Sequence, residues 1–211
     1  LFLTYLLIPN VYSKQQIEDE IKKQVSNNFG LSFIFLEDLN YKFLPRPHFT
    51  SKNVIISYNQ NEVSAIKKLK IYVSLSNLFN LEDMQINDLI LENANFNLNT
   101  KNNNFFIEIL NKNLKNGNFE IKDSNIFYRN IDEEVIFINK IKKIKYFYDK
   151  KNIQNTVIAK NEIFNIPYTL KLNKEITKKN IFSKLNLNFL KLQIENKIDF
   201  VDDFKKGSAH V

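Results

Sequence analysis

The sequence contains no cysteine and few of the other residues that carry most enzyme chemistry. Without thiols there is no thiolate nucleophile and no zinc–thiolate site, and disulfides give no clue to the compartment. His48 and His210 are the two imidazoles, and they lie far apart in the chain. Three glycines are too few for a phosphate-binding loop or a dinucleotide fingerprint. We therefore predict a protein that is not an enzyme and that uses no cofactor or metal.

Apolar and basic side chains are abundant instead. Hydrophobic residues make up 44% of the 211 positions and nineteen residues are phenylalanine, enough to line a sizeable core or an apolar groove. Thirty lysines and arginines against twenty-three acidic residues give a net charge of +7. This charge is compatible with nucleic acid or anionic lipid as a partner, and also with the lysine- and asparagine-rich composition typical of AT-rich genomes. Composition alone leaves the partner open.

Residues 1–9, LFLTYLLIP, form an uncharged apolar run. Nine helical residues span about 14 Å, whereas a membrane crossing needs roughly 20 residues. We interpret the run as the C-terminal end of a truncated membrane anchor. A buried strand and the remnant of a signal peptide are the alternatives.

The segment that follows, residues 10–30, is predicted to be a linker and an amphipathic helix. Ser13 and Gln16 have the spacing of a capping box, with Ser13 as the N-cap. Ile17, Ile21 and Val25 recur every four residues and define one apolar face. Gly30 is placed to end the helix in a left-handed conformation.

From residue 31 onward, apolar and polar residues alternate with the period of two that is typical of β-strands. Asparagine-rich segments at 99–104, 111–118 and 149–155 separate the runs, and asparagine tolerates the backbone angles of tight turns. Short helical turns are plausible at 76–80 and 105–110. The alternating apolar positions are Leu69, Ile71, Val73 and Leu75; Ala94, Phe96 and Leu98; Phe119 and Ile121; Ile126 and Tyr128; Ile144, Tyr146 and Tyr148; Ile166, Tyr168, Leu170 and Leu172; and Leu185, Leu187 and Phe189.

Two features of this pattern predict how the strands are connected. The apolar parity changes between Phe189 and Leu190, which suggests a β-bulge. No long helix separates consecutive strands, which favours an antiparallel meander over a parallel sheet. Since no later helix is available to cover the apolar face, the sheet must curl into a barrel or gutter, or place that face against lipid. An unpaired edge strand near the C-terminal KKGSAHV would fit a fragment of a longer protein.

The order of these signals resembles the N-terminal region of AsmA-family proteins. In that family a membrane anchor leads into a linker, a helix that ends at a glycine, a strand, and a P-x-P corner before the next strand. Pro9, Gly30, Pro45 and Pro47 stand at the corresponding places. The family's strand–turn–helix unit resembles the segment NLEDMQINDLILENANFNLNTKNNNFFIEIL. Its characteristic hairpin resembles LKNGNFEIKDSNIFYRN, and a hairpin of similar form stands where this chain has FNIPYTLKL. The chain departs from the family at 101–105, where KNNNF replaces a frequent DGRNW.

The resemblance covers nearly all of residues 1–205, and it implies both fold and function. The expected fold is mainly β with an N-terminal α-helix: a long curved antiparallel meander that forms an open groove, or half-barrel, over residues 31–211 and continues beyond this fragment. The expected protein is anchored in the inner membrane, with its domain in the periplasm. It would carry phospholipid acyl chains in the groove toward the outer membrane, together with protein partners at either membrane.

If acyl chains occupy the groove, apolar strand positions must line it. The pattern does not separate a groove from an ordinary closed core, so both interpretations stay open for each residue. The lining candidates are Leu69, Ile71, Val73, Leu75, Phe96, Leu98, Ile144, Leu185, Leu187 and Phe189.

Lipid head groups would meet cations, and the candidates are Arg46, Lys140, Lys142, Lys143 and Lys145. The four lysines, interleaved with aromatic residues, also fit nucleic-acid binding or simply a solvated strand face that discourages aggregation. Arg46 stands in the Pro45–Pro47 corner, where we expect an exposed residue, and His48 beside it is expected at the surface. An assembly factor that acts through protein contacts is the main alternative function, and a nucleic-acid-binding module is the second.

Overall fold

The computed structural model describes residues 11–59, 61–76, 80–114, 117–175, 180–201 and 204–210. The predicted anchor at 1–9 therefore lies outside the described residues, as does most of the helical turn predicted at 76–80.

Helix α1 spans Lys14–Phe29, and its two predicted caps are confirmed. The Ser13 hydroxyl accepts the Gln16 N–H, and the Gln16 side chain accepts the Ser13 N–H in return. Gly30 ends the helix with φ 69°, and a Cβ at that position would lie 2.9 Å from Cε of Lys112. Ile17, Ile21 and Val25 are buried, as their spacing predicts.

The strands of the described residues form one open sheet of twelve, which confirms the predicted mainly β meander. Apart from β2, which pairs only with β3, neighbouring strands follow the order β1-β3-β4-β5-β6-β7-β8-β9-β10-β11-β12. The strands are β1 Ser32–Phe35, β2 Asn40–Lys42, β3 His48–Tyr58, β4 Asn61–Leu75, β5 Met84–Leu98, β6 Asn118–Arg129, β7 Val135–Asp149, β8 Gln154–Ile163, β9 Ile166–Glu175, β10 Asn180–Leu187, β11 Leu192–Val201 and β12 Phe204–His210.

The meander departs from the expected antiparallel order at one pair. Strands β5 and β6 are parallel, with Leu89 opposite Phe119 and Phe96 opposite Ile126. A parallel pair needs a crossover of a dozen or more residues. The segment between the two strands is long enough, and it includes helix α2, Phe105–Asn111, where the sequence predicts a short helical turn. We expected a parallel pair only where a long helix connects the strands, but here the connection contains a helix of seven residues.

A crease runs across the middle of the sheet. Asn53 on β3, Asn93 on β5 and Asp123 on β6 have positive φ of 50°, 55° and 47°. The pairing of these strands with their neighbours skips each of the three residues. The register is the same on both sides of each residue, so none of the three is a bulge. Asparagine and aspartate tolerate the left-handed backbone that these positions adopt. At the crease the inward positions change parity: on β5, Leu89 and Leu91 are buried before Asn93, and Ala94 and Phe96 after it.

The bulge predicted at Phe189–Leu190 is wrong. Residues Asn188–Leu190 form a 3-10 turn that joins β10 to β11, with Leu187 opposite Leu192 across the hairpin. The connection contains an even number of residues, so the inward positions change from odd to even numbers as the chain reverses. The parity change in the sequence marked a chain reversal.

Helices cover part of the apolar face, contrary to the expectation that none would. We call the side of the sheet that faces α1 and α2 the inner face. The Phe29 ring of α1 lies 6.1 Å from the Phe119 ring of β6, and Phe106 of α2 lies 5.2 Å from Phe96 of β5. The Tyr146 hydroxyl of β7 lies 3.1 Å from the Leu110 carbonyl oxygen at the end of α2. One continuous core lies beneath both helices.

A candidate apolar groove

The inner face can be followed from strand to strand, because residues paired across a sheet point to the same side. Tyr146 on β7 is opposite Val157 on β8, which is opposite Leu172 on β9. In the next row Ala159 is opposite Leu170, followed by Leu185 on β10 and Ile194 on β11. The apolar inner face of the core thus continues across β9, β10 and β11.

The exposure of this face changes at β9. Most inward residues are buried as far as β8, where Val157 is 5% and Ala159 1% exposed. Beyond β8 the inward apolar residues are half-buried. We call the inner face of β1–β8 the covered half and that of β9–β12 the open half. The apolar residues of the open half that lie side by side, here named the open strip, are Leu170, Leu172, Leu185, Leu187, Leu192 and Ile194.

The predicted lining residues fall into different environments. Leu185 and Leu187 belong to the open strip. Leu75 and Ile144 are half-buried against the core, and Phe189 projects from the β10–β11 turn, 79% exposed. The others are almost fully buried in the covered half: Leu69, Ile71, Val73, Phe96 and Leu98. With α1 and α2 in place, these five contact the protein's own core.

The four predicted head-group lysines lie together, but away from the apolar face. Lys140, Lys143 and Lys145 sit on the outer face of β7, and Lys142 sits at a bulge in that strand. Lys140 Nζ lies 2.9 Å and Lys142 Nζ 3.8 Å from the carboxylate of Glu162 on β8. The hydrogen bond from Lys140 holds the pKa of Glu162 below its ordinary value.

The other two lysines share a second carboxylate, Glu120 on β6. Lys143 Nζ lies 3.6 Å and Lys145 Nζ 3.9 Å from its oxygens, and Lys122 Nζ lies at 3.1 Å. The basic patch of the sequence is thus a set of cross-strand ion pairs on the face opposite the open strip. The two glutamates that pair with it come from other strands, so the local sequence gave no sign of them.

Arg46 is held in the corner rather than freely extended. One guanidinium nitrogen lies 2.7 Å from Asp88 Oδ2, and the group sits 4.4 Å above the Tyr72 ring. His48 stacks on the same ring at 4.9 Å and is 5% exposed, so the expectation of a surface histidine is wrong. Its Nδ1 lies 2.7 Å from the Arg46 carbonyl oxygen. Side chains from three segments therefore fix the proline corner.

A lysine that the sequence analysis passed over does lie beside the open strip. Lys174 on β9 is opposite Ile181 on β10, which is opposite Ile198 on β11. Its Nζ lies 3.3 Å from the carbonyl oxygen of Asn111, at the end of α2. Partial burial lowers the pKa of this ammonium group. The only signal in the sequence was a lysine at an inward position of an alternating strand.

One row of the inner face beside the open strip is polar on β10 and β11. Ser183 and Asn196 occupy the inward positions of β10 and β11 in the row that begins with Leu172. A hydroxyl, an amide and an ammonium group therefore border an apolar surface. This arrangement matches an amphiphilic ligand, whose apolar part needs the strip and whose polar part needs hydrogen-bonding partners.

Other kinds of site have little support in the described part of the chain. No group of three or more histidine, aspartate or glutamate side chains there is placed to hold a metal ion. No helix among these residues is both long enough and apolar enough to span a membrane. A comparison with protein-family models finds no match, and a comparison with curated proteins finds none either.

Proposed function

We propose that this chain is a non-enzymatic lipid-binding domain, in which acyl chains lie against the open strip. The observation that carries the proposal is the continuation of the apolar inner face across β9, β10 and β11, beyond the part that α1 and α2 bury. Each methylene group transferred from water to such a surface gains about 0.8 kcal/mol. A chain of several methylenes would therefore bind without any specific polar contact.

The polar border of the strip supports an amphiphilic ligand. Ser183 and Asn196 offer hydrogen bonds, and Lys174 offers a positive charge on the same face. An anionic head group would lie near Lys174 while the acyl chains extend over Leu170, Leu185 and Ile194. This assignment replaces the outer-face lysines as head-group partners, because those lysines pair with Glu120 and Glu162.

The resemblance to the AsmA family supplies the wider part of the proposal. In that setting the ligand is phospholipid, and the domain lies in the periplasm behind a single anchor in the inner membrane. It would pass lipid along the groove in support of outer-membrane assembly, with protein partners at the two membranes. Helix α1 would then be the first element after the anchor.

The experiment is to purify the chain, identify bound lipid by native mass spectrometry, and compare two variants on one strand. Leu185→Glu places a charge in the open strip, whereas Phe182→Glu places it on the outer face of the same strand. We expect phospholipid on the unmodified chain and on Phe182→Glu, and little on Leu185→Glu. Circular dichroism of both variants checks that they fold.

Two results would contradict the proposal. One is an unmodified chain that carries no lipid and takes up none from vesicles. The other is an equal loss of lipid from both variants while both remain folded, because binding would then not depend on the face.

A further inference from the structure

The three hairpin connections at one end of the strands expose large apolar side chains. Residues 130–134 join β6 to β7, 164–165 join β8 to β9, and 188–191 join β10 to β11. Alternate hairpins of an antiparallel sheet turn at the same end, so these connections lie along one border of the groove. At their tips Ile131 is 86%, Phe164 71% and Phe189 79% exposed.

The neighbouring residues extend this surface. Of the fourteen large hydrophobic side chains that are exposed in the described residues, five lie in these connections or at the first residue of the strand that follows, so apolar exposure is concentrated on this border. We call these five the apolar lip: Ile131, Val135, Phe164, Phe189 and Leu190. At the opposite end of the same strands, the β7–β8 connection contains Lys150, Lys151 and Asn152 with one exposed apolar residue, Ile153.

The tips are held in position by their own contacts. In the β6–β7 connection, the Asn130 side-chain oxygen accepts the Glu134 N–H at 2.9 Å, and the Arg129 guanidinium donates to the Glu133 carbonyl at 2.6 Å. Phe164 packs against Phe137, with 6.4 Å between ring centroids. Ile131 and Phe164 therefore project from braced connections.

The shape of the lip favours a lipid surface over a protein partner. Neighbouring hairpins are two strand spacings apart, so the tips stand roughly 10 Å from one another along the border. Each tip carries an amide neighbour: Asn130, Asn165 or Asn188. Separate projecting side chains can each enter the fluid interface of a bilayer, whereas a protein partner would need a matching pocket for each one.

The charge of the lip indicates which lipid surface it fits. The three connections contain Asp132, Glu133 and Glu134, exposed beside Ile131, and one exposed lysine, Lys191, so their net charge is negative. Their negative charge would be repelled by an anionic membrane. We propose that the apolar lip docks the domain on a lipid surface of zwitterionic head groups. This docking goes beyond the proposed lipid binding in the open strip, and either property can be lost without the other.

Fluorescence gives the first test, because the chain has no tryptophan and a single introduced one reports alone. Phe164→Trp places the probe on the lip, and Leu44→Trp places it at an equally exposed position elsewhere, since Phe164 and Leu44 are both 71% exposed. With phosphatidylcholine vesicles we expect a blue shift and quenching by brominated lipid for Phe164→Trp only. Equal responses at the two positions, or none at Phe164→Trp, would overturn the proposal.

Co-sedimentation with vesicles gives the second test. The variant Ile131→Ser/Phe164→Ser/Phe189→Ser removes the three tips, and Leu36→Ser/Leu44→Ser/Ile153→Ser removes three exposed apolar side chains that lie off the lip. We expect the first variant to lose at least roughly tenfold in vesicle affinity and the second to bind like the unmodified chain. Lipid bound to the open strip should remain on both.

Two further outcomes would overturn the proposal. Binding that requires phosphatidylglycerol in the vesicles would show that charge, not the lip, drives association. Self-association that disappears in the tip variant, without a change in vesicle binding, would assign the lip to a protein contact.

Discussion

The covered and open halves of the inner face have the same strand pattern and different surroundings. Phe96 in the covered half and Leu185 in the open half both occupy inward positions of alternating strands. Phe96 is fully buried against the rings of α2, whereas Leu185 is half-buried on the open strip. Alternation therefore specifies which side of a strand is apolar, but not what covers it.

The extent of the cover follows from the lengths of the helices. Helix α1 has 16 residues, so it is about 24 Å long, which is the width of about five strands. Helix α2 has seven residues and spans about 10 Å. Eleven strands side by side at about 4.8 Å each are far wider than the two helices together. The two helices are therefore too short to cover the whole inner face, and part of it remains open.

The largest expected difference between the halves is in stability. Leu69→Ala removes a fully buried side chain from the covered half and should lower the free energy of unfolding by about 2–5 kcal/mol. Leu185→Ala makes the same change in the open half. There the side chain is already partly in water, and we expect a loss of about 1 kcal/mol. Urea unfolding of both variants measures the two losses, and equal losses would show that the open half is packed like the covered half.

A smaller effect tests how α2 is attached to the sheet. The Tyr146 hydroxyl lies 3.1 Å and 2.6 Å from the carbonyl oxygens of Leu110 and Lys112. Tyr146→Phe removes the donor and leaves buried acceptors, so we expect a loss of about 1–2 kcal/mol in unfolding free energy. Tyr148→Phe is the matched control, because Tyr148 is half-buried on the same face and the described residues supply no hydrogen bond to its hydroxyl. A Tyr146→Phe variant as stable as the control would mean that α2 is held by its apolar contacts alone.

Local chemistry explains what the sequence predicted well. The caps of α1 depend on Ser13, Gln16 and Gly30, which are close in the chain, and all three act as expected. Strand alternation is also local, and it correctly places Phe96, Ile121 and Tyr146 on the inner face. The mainly β meander followed from these short-range signals.

Contacts between distant segments explain what the sequence did not predict. Glu162 and Glu120, which pair with the β7 lysines, come from other strands, and Asp88, which pairs with Arg46, lies 42 residues away. The crossing of α2 over the sheet depends on the parallel pairing of β5 and β6. Because α2 crosses there, it buries inward residues that the strand pattern alone would assign to an open groove. Sequence patterns alone therefore could not separate the covered half from the open strip.

The outer face offers a comparison that depends on pH. Burial raises the pKa of Glu92, but hydrogen bonds from Lys70 and Lys68 outweigh it and hold the pKa below the ordinary value. This pair should therefore stabilise the fold above pH 4.5, the ordinary value, and the stabilisation should be lost as the pH falls through the lowered pKa. Glu92→Gln should cost about 0.5–1 kcal/mol at pH 7 and reduce the loss of stability on acidification.

The matched change on the outer face of the sheet, opposite the open half, is Glu195→Gln. Glu195 lies 3.0 Å from Lys184 and is 34% exposed, against 17% for Glu92, so we expect a smaller loss at pH 7. Chemical unfolding of both variants between about pH 3 and pH 7, where carboxyl groups titrate, measures the difference between their stability losses. A Glu92→Gln variant with the acid sensitivity of the unmodified chain would exclude the Lys70–Glu92 pair as the cause.

The smallest expected effect concerns the ligand of the open half and rests on the proposed function. Lys174→Met should weaken binding of a fatty acid about threefold and leave binding of the fatty alcohol of equal length unchanged, because only the acid carries a charge for the ammonium group. Lys171→Met, on the outer face of the same strand, is the control and should change neither affinity. Burial lowers the pKa of Lys174, so the preference for the acid should fade as the pH rises toward that pKa, earlier than for an exposed lysine. Isothermal titration with both ligands measures the ratio, and equal weakening of both by Lys174→Met would assign this side chain to packing rather than to head-group binding.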